Sequence, residues 1–379
     1  MASFRKRGKK GLWQYRITYK DIEGKEREIS KGGFRTKVEA VNEANEIEQS
    51  LKSGYKYGDK TTLAEYFKKW LNTFKARKVS MVTVRKYEQT LKHIVENFPD
   101  IPMMQITSIQ YQEFLNQYAD THVKSSTLRL NGHIKQALRV ALADKIIIDD
   151  FTRNAVISGK KKSKSSKDKF ISYEDTKRLL NYLITNRDPR KPNNYLLAMA
   201  FLTGLRFGEL LGLTWLDIDH INQTISINKS YDYIYSMDFK ETKTETSTRI
   251  IDIDKQILQL LTELKIFQQQ KMVELQLENP LNQVFFNYIE GVPSNSGVNK
   301  LLKMTLKKLE IEPNISIHGA RHTFGSILLF KGTDIAVVSE ILGHKDVTVT
   351  NEVYRHVVKE LREKNRKKFL GIQYELLSK

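Results

Sequence analysis

The sequence predicts a multidomain α+β chain: a small three-stranded β-sheet with one helix, then a helical bundle, then a larger, mainly α domain holding a small β-sheet. Three observations predict it. Trp13, Tyr15, Ile17 and Tyr19 alternate with polar residues, the period-2 signature of a strand with one buried face. From about residue 60 to 155 the apolar spacing turns to three and four, which is helical. Between 158 and 169 apolar residues vanish, and beyond 170 helical and strand-like segments mix. With 379 residues and 40% hydrophobic composition, the chain has material for two or three packed cores.

The first block, residues 1–58, opens with Arg5, Lys6, Arg7, Lys9 and Lys10. After the strand over 13–20, Asp21-Ile22-Glu23-Gly24 supplies a turn, 25–30 the returning strand, and Gly33-Phe34 a third short one. Thr36-x-x-Glu39 forms a capping box ahead of a helix with Ala40, Ala44, Ile47 and Leu51 on one stripe. The other sheet face, bearing Gln14, Arg16, Thr18 and Lys20, is left free. A β-ribbon of that width enters a DNA major groove; a solvated basic face is the alternative.

The second block, 60–157, reads as helix throughout. Thr62-x-x-Glu65 caps a helix with Leu63, Tyr66, Phe67, Trp70 and Leu71, and Ser80 precedes one with Val84, Tyr87, Leu91 and Ile94. Residues 107–118 and 126–143 supply two more. Lys75, Arg77, Lys78, Arg85, Lys86, Lys124 and Arg129 lie at helix ends and exposed positions. As a set they suit a surface that tracks phosphates, with Arg85 and Lys86 foremost, although each alone is ordinary solvated charge. Residues 158–169 then read as a flexible, cationic linker, in which Lys160, Lys161, Lys162 and Lys164 suit a strap along DNA. In 170–379, helices are expected over 172–185, 195–202 and 207–213. Strands at 224–228 and 249–253 flank a polar hairpin, and further helices start near Asp254, Ser296, Ser316, Thr333 and Thr350.

Lys plus Arg number 63 against 44 Asp plus Glu, a net charge of +19 that favours a polyanionic partner. No apolar run is long enough to span a bilayer, and no apolar stretch behind the basic N-terminus makes it a secretory signal. Zero cysteines exclude disulfides, thiolate zinc sites and cysteine nucleophiles, and fit a reducing cytoplasm.

Four pieces of the last block carry chemistry. In Gly204-Leu205-Arg206-Phe207-Gly208-Glu209-Leu210, an arginine follows a helix-breaking glycine with a carboxylate three residues on. In His318-Gly319-Ala320-Arg321, His318 and Arg321 share a face at a helix start, where backbone amides favour an anion. Leu342-Gly343-His344 ends a helix ten residues before Tyr354. Lys243 lies on the polar hairpin, with Lys240 a nearby competitor. Each piece alone has a plain structural reading: a buried ion pair, a chance spacing, a packed aromatic, a surface charge.

Together and in this order they resemble the tyrosine recombinases, over Phe170 to about Val358 and more weakly through the two earlier blocks. The pattern is most similar to integrases of temperate phages and conjugative transposons. That resemblance implies an arm-site DNA-binding domain (1–58), a SAM-like helical core-site domain (60–157), a basic linker (158–169) and a catalytic domain with a C-terminal tail (170–379). It implies Tyr354 as nucleophile forming a 3′-phosphotyrosine, and Arg206 and Arg321 as a clamp on the phosphate oxygens, for which guanidinium forks are suited. It further implies His318 as the base, Lys243 as acid to the departing 5′ oxygen, His344 as a phosphate donor and Glu209 as an orienting carboxylate. No metal or other cofactor is implied. The implied partners are double-stranded DNA with core and arm sites, a homotetramer, an excisionase and a host DNA-bending protein, in the bacterial cytoplasm. Phe369, Leu370, Ile372, Leu376 and Leu377 form a tail patch suited to a neighbouring protomer or to its own domain. A DNA-binding regulator without catalysis, a metal-dependent hydrolase built on His318, His322 and His344, and a type IB topoisomerase remain as alternatives.

Overall fold

The structure is a computed structural model that describes the chain apart from residues 1, 8–10, 21–25, 53–59, 164, 242–246, 277, 288–290, 349, 352–353, 355–365 and 378–379. It divides into two compact units, Met1–Ser163 and Lys164–Lys379.

The first unit begins with an antiparallel sheet of β1 (Ser3–Arg7), β2 (Leu12–Lys20) and β3 (Glu26–Phe34), with β2 in the centre. The third strand is therefore the basic N-terminal segment, not Gly33-Phe34, which merely ends β3. A central strand that is apolar along one face needs cover on both edges, and β1 brings Phe4 opposite Tyr15. Tyr15, Ile17 and Ile29 pack on Ala40 and Ala44 of α1 (Lys37–Lys52), whose start carries the expected reciprocal bonds between Thr36 and Glu39. On the outer face Arg16 and Thr18 are exposed, and Arg16 pairs with Glu28 at 3.0 Å. Gln14 departs from the expectation of a free face. It is buried beyond the bulge at Trp13/Gln14, folded over Gly32, which has no side chain to hold it off. The side chain of Lys20 lies outside the described residues.

The first unit also holds a helical bundle of α2 (Leu63–Trp70, prolonged by a π-turn over Leu71–Lys75), α3 (Met81–Asn97), α4 (Ser108–Thr121) and α5 (Lys124–Ala143). Phe67, Ile94, Tyr111, Leu115, Ile134 and Leu138 fill its core. Full capping boxes start α2 (Thr62, Glu65) and α4 (Thr107, Gln110). Arg85 and Lys86 are exposed on α3. The linker differs from the flexible strap expected, because its first part is docked. Just ahead of it, Val156 exchanges two hydrogen bonds with the Gln112 side chain, at 2.8 and 3.1 Å. The Lys160 amide donates to Ala119 O at 2.9 Å, Lys161 bridges Val123, and Lys160 Nζ pairs with Asp120 at 2.8 Å. Composition showed no apolar anchor here, and the anchor is indeed polar: backbone donors meet the carbonyls left open at the end of α4. Lys160, Lys161 and Lys162 remain exposed; Lys164 lies outside the described residues.

The second unit is built around α7 (Asn193–Thr203), which is apolar all round and buried over nearly its whole length, as a central helix must be. Around it stand α6 (Tyr173–Thr185), α8 (Phe207–Gly212), α9 (Lys255–Leu275), α10 (Asn295–Lys308), α11 (Ile317–Phe330) and α12 (Ile335–Leu342). A three-stranded antiparallel sheet runs β4 (Ile218–Asp219), β5 (Thr224–Ile227) and β8 (Arg249–Asp252), while β6 (Lys229–Tyr231) pairs with β7 (Phe239–Glu241). The last helix, α13 (Arg366–Leu377), exposes Leu370, Tyr374 and Leu376; the side chains of Phe369, Ile372 and Leu377 lie outside the described residues. Among the described residues no helix is long and apolar enough to cross a membrane.

Candidate functional site

The site is organised by the end of a helix. Asp334 caps α12 at its start, and Gly343 ends it at φ +63, a left-handed conformation that suits glycine. Beyond such an end the last carbonyls have no partner within the helix. Here three successive ones are each taken by an arginine: Ile341 O by Arg249 Nε at 2.6 Å, Leu342 O by Arg321 Nη2, and Gly343 O by Arg206 Nη2 at 2.9 Å. The negative end of the helix dipole reinforces the attraction.

Each arginine arrives from its own element. Gly204, at φ +65, turns the chain out of α7; a side chain there would strike Phe324 and Leu342, so the turn lies close against α11 and α12. Arg206 then opens α8. Its amide donates to Glu209 Oε2 at 3.0 Å and its Nη1 pairs with Glu209 Oε1 at 2.6 Å. Arg321, on α11, is 3% exposed and also donates to Gly204 O at 3.0 Å. Arg249, on β8, is buried and pairs with Glu209 Oε2 at 3.0 Å.

These contacts set the electrostatics. Burial alone would raise the Glu209 pKa, but Arg249 and then Arg206 outweigh it, and the carboxyl stays ionised below its usual range. One carboxylate faces three guanidiniums. Burial and then the Arg206 charge push Arg321 down to about 9, so it is protonated at neutral pH yet short of counter-charge. The His344 ring is pushed down to about 4 by burial, then by Arg321 and Arg206, and is neutral; its Nδ1 lies 2.7 Å from Thr350 Oγ1. His318 keeps an exposed surface, but packing round its ring, then Arg321 and Arg206, lower its pKa. Its ring meets His322 edge-on at 4.9 Å. Such a cluster is preorganised for an anion, which would supply the missing negative charge without rearrangement.

Tyr354 is placed beside this cluster but not in it. It is 1% exposed, packed with Leu329, Val338 and Leu342, and its hydroxyl donates to Arg321 O at 3.2 Å. Gly325 forms the floor: a Cβ there would overlap the hydroxyl. Burial pushes the phenol up to about 12, with Arg321 only partly offsetting it. The ring of Tyr354 lies 6.3 Å from that of His322.

Of the residues singled out in the sequence, Arg206, Glu209, Arg321 and His344 converge on the α12 terminus, with His318 on the same helix as Arg321. Lys243 lies outside the described residues. Its competitor Lys240 pairs with Asp232 at 3.4 Å. The sequence reading missed Arg249, Thr350 and the steric role of Gly325. Arg249 had a signal: it falls in phase with the buried Ile251 on β8, an arginine where a core residue is due.

Residues 169–360 match the model of the Phage integrase family. Residues 3–51 match an Arm DNA-binding domain, and 62–119 a phage integrase N-terminal SAM-like domain. The chain is 28% identical over 275 residues to the ICEBs1 integrase of Bacillus subtilis, covering 70% of this chain and 71% of that one. It is 26% identical over 375 residues to a XerC-like tyrosine recombinase of Caldanaerobacter subterraneus, covering 92% and 94%. Among solved structures, the Tn1549 transposon integrase with transposon right-end DNA superposes with a TM-score of 0.63 at 18% identity, over 80% of this chain and 99% of that one.

Proposed function

The chain belongs to the phage integrase family, and from that premise we propose that it is a site-specific DNA recombinase that integrates and excises a mobile element through a 3′-phosphotyrosine made by Tyr354. One observation carries the reading: three arginines gathered on the carbonyls of Ile341, Leu342 and Gly343, short of negative charge, with a tyrosine hydroxyl packed against the backbone of one of them.

The roles follow from the chemistry. Arg206 and Arg321 bind the non-bridging oxygens of the scissile phosphate, where charge grows during displacement; each engages part of its five N–H donors in anchoring and keeps others for the ligand. His344, neutral and oriented by Thr350, donates a hydrogen bond to the same phosphate. Once released from the Arg321 carbonyl, the Tyr354 oxygen attacks phosphorus and its proton passes to His318. The P–O5′ bond breaks, and the 5′ oxygen takes a proton from Lys243. Attack by another 5′-hydroxyl reverses the step and reseals the strand, the phosphodiester energy being held in the phosphotyrosine.

The domain assignment belongs to the same proposal: residues 1–58 bind arm sites, 60–157 core sites, 158–169 strap the DNA, and 170–379 carry the chemistry. Separate hydrophobic cores in the first two blocks support it. Arg16 and Thr18 of the sheet, Arg85 and Lys86 of α3, and Lys160 to Lys162 of the strap are exposed and suited to DNA contact. The working assembly is a homotetramer on DNA, with α13 and its exposed Leu370 and Leu376 docking on a neighbour. It acts in the bacterial cytoplasm with an excisionase and a DNA-bending protein.

Covalent trapping tests the reading. Wild-type and Tyr354→Phe proteins are incubated, with EDTA, on duplexes nicked near a candidate core site and run on denaturing gels. An adduct with wild type that vanishes in the variant is expected. No adduct from either protein, on DNA that both bind, would leave a DNA-binding regulator as the better account.

A further inference from the structure

Arg206 and Arg249 hold the same two parts of the fold. Arg206 bonds Glu209 Oε1 through Nη1 at 2.6 Å and Gly343 O through Nη2 at 2.9 Å. Arg249 bonds Glu209 Oε2 through Nη2 at 3.0 Å and Ile341 O through Nε at 2.6 Å. One anchor is the carboxylate on α8, the other is the end of α12, and both guanidiniums span the gap between them. They differ in what else they can reach. The Arg206 side chain is 37% exposed and open to a ligand, whereas that of Arg249 is 5% exposed and closed off from one.

A buried ion pair adds little net stability, because desolvation of both charges opposes their attraction. Glu209 moreover has a cation in Arg206, which bonds both of its oxygens through amide and side chain. Neutralising Glu209 therefore does not account for a second, buried arginine. Spanning does. The direction of the Arg206 fork depends on the separation between Glu209 and the α12 terminus, and Arg206 and Gly343 stand 137 residues apart in the chain. A planar guanidinium fixes the directions of Nε and Nη2 together, so Arg249 holds that separation constant. Its remaining bond, from Nη1 to Ser247 O at 3.0 Å, is local and steadies its own side chain. Arg321 is placed differently, because its Nη1 takes Gly204 O on the turn after α7.

We propose that Arg249 is a positioning residue that braces Arg206, holding Glu209 at a fixed distance from the end of α12 so that the Arg206 fork meets one non-bridging oxygen of the scissile phosphate. This rests on the reading of Arg206 as part of the phosphate clamp. Arg249 touches neither the DNA nor the reacting atoms. A loosened brace leaves the DNA bound and misdirects one fork of the clamp.

A methylphosphonate at the scissile position tests the brace. Its methyl group replaces one non-bridging oxygen, removing a negative charge and the acceptor that one guanidinium serves, and the two separated diastereomers remove different oxygens. Arg249→Lys keeps a cation beside Glu209 but has one nitrogen, which cannot hold Glu209 and Ile341 O at a set spacing. On nicked core-site duplexes it should cleave the phosphodiester about 10²-fold more slowly than wild type, with unchanged DNA affinity. On one methylphosphonate diastereomer it should approach the wild-type rate on that same substrate. Arg206→Lys, run alongside, should be relieved by the same diastereomer. Wild-type cleavage of the phosphodiester by Arg249→Lys would show that charge alone suffices, and the brace would be overturned. Relief by neither diastereomer, or only by the one that does not relieve Arg206→Lys, would overturn it as well. If Arg206→Lys is itself relieved by neither, the clamp reading falls, and the brace with it. An unfolded fraction cancels in the ratio of two rates measured on one preparation. Should Arg249→Lys not fold, Arg249→Gln, which keeps a donor but neither the charge nor the fork, is read by the same substrates and the same outcomes.

Discussion

A phenol that has given its hydrogen bond to a backbone carbonyl, with its oxygen against a helix, is in no position to attack phosphorus. Tyr354 is held in that way, and its pKa near 12 keeps it neutral. In the proposed mechanism the arrangement separates two demands on one side chain: protection when no DNA is bound and nucleophilicity when a phosphate has arrived. Gly325 permits the protected position, since any side chain there would occupy the space of the hydroxyl. Gly325→Ala should therefore expel Tyr354. Its nitration by tetranitromethane, followed by peptide mass spectrometry in the absence of DNA, should rise to the rate of an exposed tyrosine such as Tyr374. An unchanged rate would mean that something other than Gly325 fixes the ring.

At the scale of elements, the end of α12 does more than present His344. Its three terminal carbonyls gather side chains from α8, α11 and β8, elements far apart in the chain. Gly343 makes this possible, because its φ of +63 ends the helix abruptly and turns those carbonyls outward. Alanine in that conformation costs about 1 kcal/mol of backbone strain, and relief of the strain shifts all three acceptors. Gly343→Ala should thus lower the cleavage rate on nicked duplexes by about ten-fold, less than the loss of a whole oxyanion donor, while leaving equilibrium binding to the same duplex nearly unchanged. Equal losses in binding and cleavage would place the defect in folding instead.

For the whole molecule, charge and buried histidines govern how conditions act. The net charge of +19 makes binding to DNA strongly salt-dependent. Changing Lys160, Lys161 and Lys162 together to Gln should reduce the slope of log K against log salt by about 0.9 for each lysine that meets a phosphate; an unchanged slope would place the strap away from the DNA. Stability has its own pH window. His133 in the bundle, its ring tilted against that of Tyr87 and its Nδ1 2.8 Å from Thr90 Oγ1, is pushed down to about 4 by burial, then by Arg129, Lys75 and Lys86. His344 is depressed to a similar value. A histidine with a lowered folded pKa binds its proton more readily once unfolded. Its contribution is therefore complete above the unfolded value near 6.5 and lost as pH falls towards 4. Melting temperatures measured across that range should fall with pH, and His133→Gln should flatten the fall for the helical bundle.

Much of this was legible in the chain of residues. Local signals fixed local outcomes: the alternation at 13–19 became β2, the boxes at Thr36 and Thr62 became helix starts, and Asp254 capped α9. The motifs around Arg206, Lys243, His318, Arg321, His344 and Tyr354, taken in order, carried the resemblance to the family. What the sequence could not decide was partnership across space. The pairing of β1 on β2 and the docking of Lys160 and Lys161 on α4 depend on backbone groups, which every residue carries alike and no residue type announces. The role of Arg249 and the withdrawn position of Tyr354 have the same cause. The contacts that create them, Arg249 to Ile341 across 92 residues and Tyr354 to Arg321 across 33, end on carbonyl oxygens. Side-chain chemistry named the participants, and only the folded backbone decided where each of them waits.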